Sequence, residues 1–155
     1  GRIAADAAGI NAYYNAWRTD GYTQRLARPQ AVLGLRCLEL SGFDIAGKDR
    51  YSPLLLDLGC GSGLSSLPLM RAGCSVLGLD LSLEMLRRAR QAGVDVVQAD
   101  MSRPLPLRAG TFDAVISVSA MQFLCEEAGG MSPIFRARDA FAEVARVVCK
   151  DTLAA

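Results

Sequence analysis

Leu54-Leu55-Leu56-Asp57-Leu58-Gly59-Cys60-Gly61-Ser62-Gly63 decides the fold. The apolar run between Pro53 and Gly59 predicts a short strand buried on both faces, as strands of parallel sheets are. The glycines permit a tight turn and let the backbone approach a ligand held against the next helix N-terminus. Leu64, Leu67, Leu69 and Met70 predict that helix, with Pro68 in its first turns and Gly73 at its end.

The unit then recurs. Val76-Leu77-Gly78-Leu79-Asp80 reads as a second strand, Ser82 as the cap of a helix through Met85, Leu86 and Ala89, and Val94 to Asp100 as a third strand. After a loop with Pro104 and Pro106, Phe112 to Val118 reads as the fourth strand and Asp139 to Val148 as an amphipathic helix. Upstream, Pro29 suits the first turn of a helix through Val32, Leu35, Leu38 and Leu40 that stops near Gly42. Residues 1–28, with Tyr13, Tyr14, Trp17 and Tyr22, form an irregular or partly helical lead-in. Such alternation predicts an α/β fold, a doubly wound, Rossmann-like and mostly parallel sheet.

Composition narrows the chemistry. With 155 residues, 51% hydrophobic and 21% charged, the chain can bury one core, so residues 1–155 are expected to form one domain. A net charge of +1 announces neither a nucleic-acid nor a membrane partner. No run of about eighteen apolar residues exists to span a bilayer, and the N-terminus lacks a secretory pattern, so an intracellular protein is expected. Five cysteines, odd in number and without a Cys-x-x-Cys pair, argue against a disulfide framework and a metal site. The absence of histidine removes the commonest general base and every Ser-His or Cys-His nucleophile. Chemistry whose leaving group is already activated tolerates that loss, because alignment is then the main demand.

In doubly wound sheets ligands bind at the carboxyl ends of the strands. Asp57 precedes the glycine turn and could help balance a cationic amino-acid moiety. Asp80, seventeen positions past Gly63, closes the second strand, where a carboxylate can accept from both ribose hydroxyls of an adenosine. Asp100 closes the third, placed for an adenine amino group, with Met101 offering apolar and backbone contact. Each aspartate alone is also a plausible turn or helix cap. A nicotinamide fingerprint would need glycine three places after Gly61, where Leu64 stands.

With these residues assembled, the chain resembles the class I S-adenosylmethionine-dependent methyltransferases, and more closely the eukaryotic family that methylates guanine N7 in small-subunit (18S) ribosomal RNA. Arg108 to Cys125, with Ser117-Val118-Ser119-Ala120 and Gln122-Phe123-Leu124-Cys125, is similar to that family's signature. So are Leu55 to Ser65, Gly78-Leu79-Asp80-Leu81-Ser82, and Arg25 with Gln30. Glu126 stands where the family tends to have asparagine.

The resemblance implies S-adenosyl-L-methionine as cofactor. It puts Arg25, Asp57, Gly59, Cys60 (by its backbone), Gly61, Asp80, Leu81, Asp100, Met101 and Ser117 around it, with Gln122 and Phe123 bordering the target base. It further implies a ribosomal RNA or small-subunit-precursor substrate, a small zinc-binding activator subunit, and work in the nucleus or nucleolus and cytoplasm. Because the family's sheet has seven strands, the chain is expected to be truncated near the fifth. No catalytic residue is assigned, since N7 has a lone pair at neutral pH and needs positioning rather than proton removal. A small-molecule methyltransferase and a non-catalytic cofactor-binding module stay open, because strand-end motifs report cofactor rather than substrate.

Overall fold

The computed structural model describes residues 8–9, 12–13, 20–43, 52–125, 130 and 132–149. Helix α1 spans Asp20–Ser41, followed by β1 (Leu54–Leu58), α2 (Ser66–Arg71), β2 (Ser75–Asp80), α3 (Leu83–Gln91), β3 (Asp95–Gln98) and β4 (Ala114–Ile116). A single 3-10 turn, Met121–Cys125, and helix α4, Pro133–Val147, complete the described chain. Of the lead-in, Tyr14 and Trp17 lie outside the described residues.

The four strands form one parallel sheet in the order β3-β2-β1-β4. The chain steps outward through β2 and β3 and returns to the other side of β1 for β4, so strand order reverses at β1. Two apolar clusters form on opposite sides of β1, because successive strand side chains point to opposite faces. Leu55, Val76 and Ile116 pack with Leu38 of α1 and Leu69 of α2. Leu56, Leu58 and Leu79 pack with Phe112, Leu105 and Val147 of α4.

Local signals explain most elements. Ser82 caps α3 by accepting from the Met85 N–H at 3.3 Å. Both α2 and α3 end in the same paired bonds: Gly73 and Cys74 donate to Met70 and Leu69, and Gly93 and Val94 to Arg90 and Ala89. Several boundaries differ from the sequence expectation; β3, for one, shortens from Val94–Asp100 to Asp95–Gln98. Helix α1 begins nine residues before Pro29 and carries that proline in its interior. Gln24 to Arg28 are good helix formers, so the turns before Pro29 form although its missing N–H removes one bond. Gly34 lets α1 pack closely, since a Cβ there would meet the Ser65 carbonyl oxygen at 2.8 Å. Helix α4 starts at Pro133 rather than Asp139, with proline at its first position. Strand β4 shortens to three residues, and Phe112 instead forms an isolated parallel bridge with Val148.

A salt-bridged clamp holds the loop before β4. Arg146 donates to the Leu107 and Leu105 carbonyls at 2.8 and 3.1 Å and to Glu143, while the Glu143 carboxylate accepts from the Leu105 N–H at 2.6 Å. These bonds hold the Glu143 carboxyl at about 2, below its ordinary 4.5.

Candidate functional site

At the carboxyl edge of the sheet, where strand order reverses, lies an open cleft of about 840 Å³, counting the space at its mouth. Its floor is the turn after β1. Gly59 has φ of +81°, and a Cβ there would overlap the Ala120 methyl and approach Met101 Cε at 3.1 Å. The Gly59 and Cys60 N–H groups both donate to the Leu79 carbonyl, at 2.7 and 3.0 Å, which ties this turn to β2. Gly59, Cys60 and Gly61 all line the cleft.

Asp80 at the end of β2 and Leu81 just after it line the cleft, as do Asp100 and Met101 from the turn after β3. Asp80 Oδ2 accepts the Gly61 N–H at 2.9 Å and Oδ1 the Ser82 N–H at 2.8 Å. Burial raises the Asp80 carboxyl above the usual carboxylate range, against the pull of these backbone donors. Asp100 takes both of its bonds on Oδ1, from Ser102 N at 2.8 Å and Ser102 Oγ at 2.7 Å. Each aspartate therefore pins a turn and walls the cleft as well.

Four expected residues sit elsewhere. Asp57 is fully buried and shares the face of β1 that carries Leu55, so its carboxylate turns toward α2 rather than the cleft. Its Oδ2 accepts from Ser65 Oγ at 2.7 Å and Ser66 Oγ at 2.6 Å, while Oδ1 has no partner among the described residues. Burial pushes this carboxyl upward, more than the two serine hydroxyls lower it. Ser117 is outside the lining because its hydroxyl donates to the Leu58 carbonyl at 2.7 Å, closing β4 onto β1. Gln122 is exposed and donates to the Ser119 carbonyl at 2.7 Å. Arg25 is exposed as well; the α1 residues that reach the cleft are Leu26 and Gln30, one helical turn apart. Phe123 does line it.

Sequence reasoning passed over three features of the β4 side. Ser119 and Ala120 line the cleft two and three residues past Ser117, and Ser119 holds a left-handed φ of 58°. Such a conformation costs a serine on the order of 1 kcal/mol and gathers at functional sites. Arg136 of α4 lines the cleft at 5% exposure. Its signal was present: Arg136, Ala140 and Val147 are the buried residues of α4, spaced four and then seven apart, so an arginine occupies the inward stripe.

The Cys60 thiol is pushed well above its ordinary value, by burial first and then by Asp57 and Asp80, and so is no nucleophile. No cluster of three metal-ligating side chains occurs among the described residues. Nor is any helix among them long and apolar enough to cross a membrane.

The chain can now be set beside known proteins. The family described as "Methyltransferase domain" matches residues 56–155. The 18S rRNA (guanine-N(7))-methyltransferase RID2 of Arabidopsis thaliana is 41% identical over 117 residues, covering 73% of this chain and 39% of that protein. The chain thus spans about two-fifths of that relative's length. Magnesium protoporphyrin IX methyltransferase from Synechocystis, solved with bound SAM, superposes with a TM-score of 0.64 at 20% identity, over 92% of this chain and 72% of that one. A chain of the complex between the Haloferax volcanii Trm112 methyltransferase activator and a methyltransferase gives 0.62 at 22%, over 88% and 55%. At such identities these two structures establish the fold. From the matched span and the strand order together, the chain belongs to the methyltransferase-domain family and has its Rossmann-like class I fold.

Proposed function

We propose that residues 1–155 are the cofactor-binding part of an S-adenosyl-L-methionine-dependent methyltransferase that modifies guanine N7 in small-subunit ribosomal RNA. The observation that carries the cofactor is the pair of carboxylates, Asp80 and Asp100, at the ends of adjacent strands and lining one cleft with the Gly59–Gly61 turn. An adenosine presents hydrogen-bond donors at its ribose diol and its amino group, and both aspartates are acceptors. Leu81, Met85 and Met101 supply apolar walls for a purine ring between them. The donor-rich ligand and the acceptor-rich, apolar-walled cleft fit one another.

When bound, the cofactor supplies an electrophilic methyl group on a sulfonium. The chain's own contribution is positional. Asp80 would hold the ribose, Asp100 the adenine edge, and the Gly59–Gly61 backbone the methionine portion. On the β4 side, Phe123 offers an apolar face to an incoming base. Guanine N7 carries a lone pair at neutral pH and needs no proton removed, so the chain's lack of histidine is no obstacle.

The 41% identity to RID2 supports the ribosomal RNA substrate. We further infer pairing with a small zinc-binding activator along β3, which has β2 as its one strand neighbour among the described residues. A role in ribosome biogenesis in the nucleolus and cytoplasm accords with that substrate. Calorimetric titration tests the cofactor: the chain is expected to bind S-adenosylmethionine but not NAD, and Asp80→Ala to weaken that binding by about a hundredfold. Transfer of a labelled methyl group to an 18S fragment, with activator present, tests the substrate. No binding with or without the activator overturns the proposal, and labelling of small molecules instead of RNA overturns its substrate.

A further inference from the structure

Arg136 is the one arginine in the buried class among the described residues, and it belongs to the lining of the cleft. A buried guanidinium is costly to desolvate, and its planar fork suits the two oxygens of a carboxylate or a phosphate. Helix α4 fixes its position from the same inward stripe that seats Ala140 and Val147. Strand order sorts the charges of the lining: Asp80 and Asp100 follow β2 and β3, whereas Arg136 enters from the helix that follows β4. A ligand that spans the cleft therefore meets acceptors at one end and a cation at the other.

We propose that Arg136 is a further binding residue of the cleft and holds an oxyanion of a bound ligand. This rests on the methyltransferase function proposed above. Two sources carry that chemistry there: the carboxylate of the cofactor's methionine portion, and the phosphate of a nucleotide whose base reaches Phe123. In either case a charge-assisted, two-pronged contact fixes the ligand's end and thereby the line between nucleophile and methyl group.

The test uses two ligand pairs on the whole chain by calorimetry. S-adenosylmethionine is compared with its decarboxylated analogue, and, on protein saturated with S-adenosylhomocysteine, guanosine monophosphate with guanosine. In the wild type one pair is expected to separate by about tenfold or more in affinity. Arg136→Gln is expected to collapse that separation to within about twofold, Arg136→Lys to restore part of it, and Arg25→Gln, at an exposed position, to leave it intact. The pair that separates identifies the source.

Equal affinities within both wild-type pairs overturn the proposal. So does a preference that survives Arg136→Gln, or one that Arg25→Gln removes. If Arg136→Gln fails to fold, Arg136→Lys decides: a preference for the anionic member that is unchanged in Arg136→Lys, or lost in Arg25→Gln, overturns the proposal, and one weakened in Arg136→Lys with Arg25→Gln unaffected supports it. Wild-type protein that binds neither sulfonium, alone or with activator, sinks the methyltransferase function itself, which is a separate outcome.

Discussion

The two halves of the cleft are built by different means. On the β2–β3 side, the two acidic wall residues are held by bonds of short sequence reach or by the neighbouring turn: Asp80 by Ser82 and Gly61, Asp100 by Ser102. On the β4 side, the walls come from a strained serine, a 3-10 turn and an arginine brought in by a later helix. The first half is a nearly fixed mould for one ligand. The second depends on how separate elements pack, which is where a family can vary what it accepts.

The sharpest way to break this contrast is Gly59→Ala, which strikes the turn where the halves meet. A side chain at φ of +81° and an overlap with Ala120 are expected together to cost about 3 kcal/mol or more. Chemical denaturation measures it; a loss below about 1 kcal/mol would show that the turn yields and the mould is not rigid. Next, Asp80→Ala should weaken cofactor binding by about a hundredfold and Asp100→Ala by about tenfold, as two or one charge-assisted bonds are lost. Asp80→Ala should also cost about 1–2 kcal/mol of stability, because Gly61 and Ser82 lose their acceptor. Equal effects of both substitutions on affinity would erase the gradient along the sheet edge.

Ser117→Ala sharpens the β4 side. Its bond to the Leu58 carbonyl predicts a stability loss of about 1 kcal/mol, with cofactor affinity within about twofold of wild type. A large affinity change with unaltered stability would place Ser117 in the lining after all. The smallest effect concerns the clamp beneath that side. Glu143 has a depressed carboxyl in the folded chain, so its stabilising contribution is complete above its ordinary value near 4.5 and fades as pH falls toward about 2. Arg146 and Glu143 are both partly exposed, so water weakens the contribution. Glu143→Gln is expected to flatten the acid limb of a stability–pH curve slightly; an unchanged limb would assign it to other groups.

What the sequence revealed follows the same divide. The strands, the turn at Gly59 and the cleft positions of Asp80 and Asp100 were readable because apolar runs, glycines and strand-end acids are local signals. Arg25 and Ser117 were misplaced by one helical step and by two residues of a strand end, respectively, since facing depends on phase rather than residue type. Asp57 carried the right motif, but the strand turned it to the wrong side for a ligand. Arg136 went unnoticed because its significance appears only when α4 lies against the 3-10 turn; a charge on an apolar stripe was the available clue. The early start of α1 was hidden by Pro29, whose usual meaning as a helix opener the surrounding residues overrode.

The doubled duty of Asp80 has an evolutionary consequence. A single carboxylate both closes the turns at Gly61 and Ser82 and walls the cleft, so a substitution there damages folding and ligand affinity together. Selection for either property therefore also favours the other at that position. Variation in what the pocket accepts is channelled to its opposite side, where Phe123 lines the cleft.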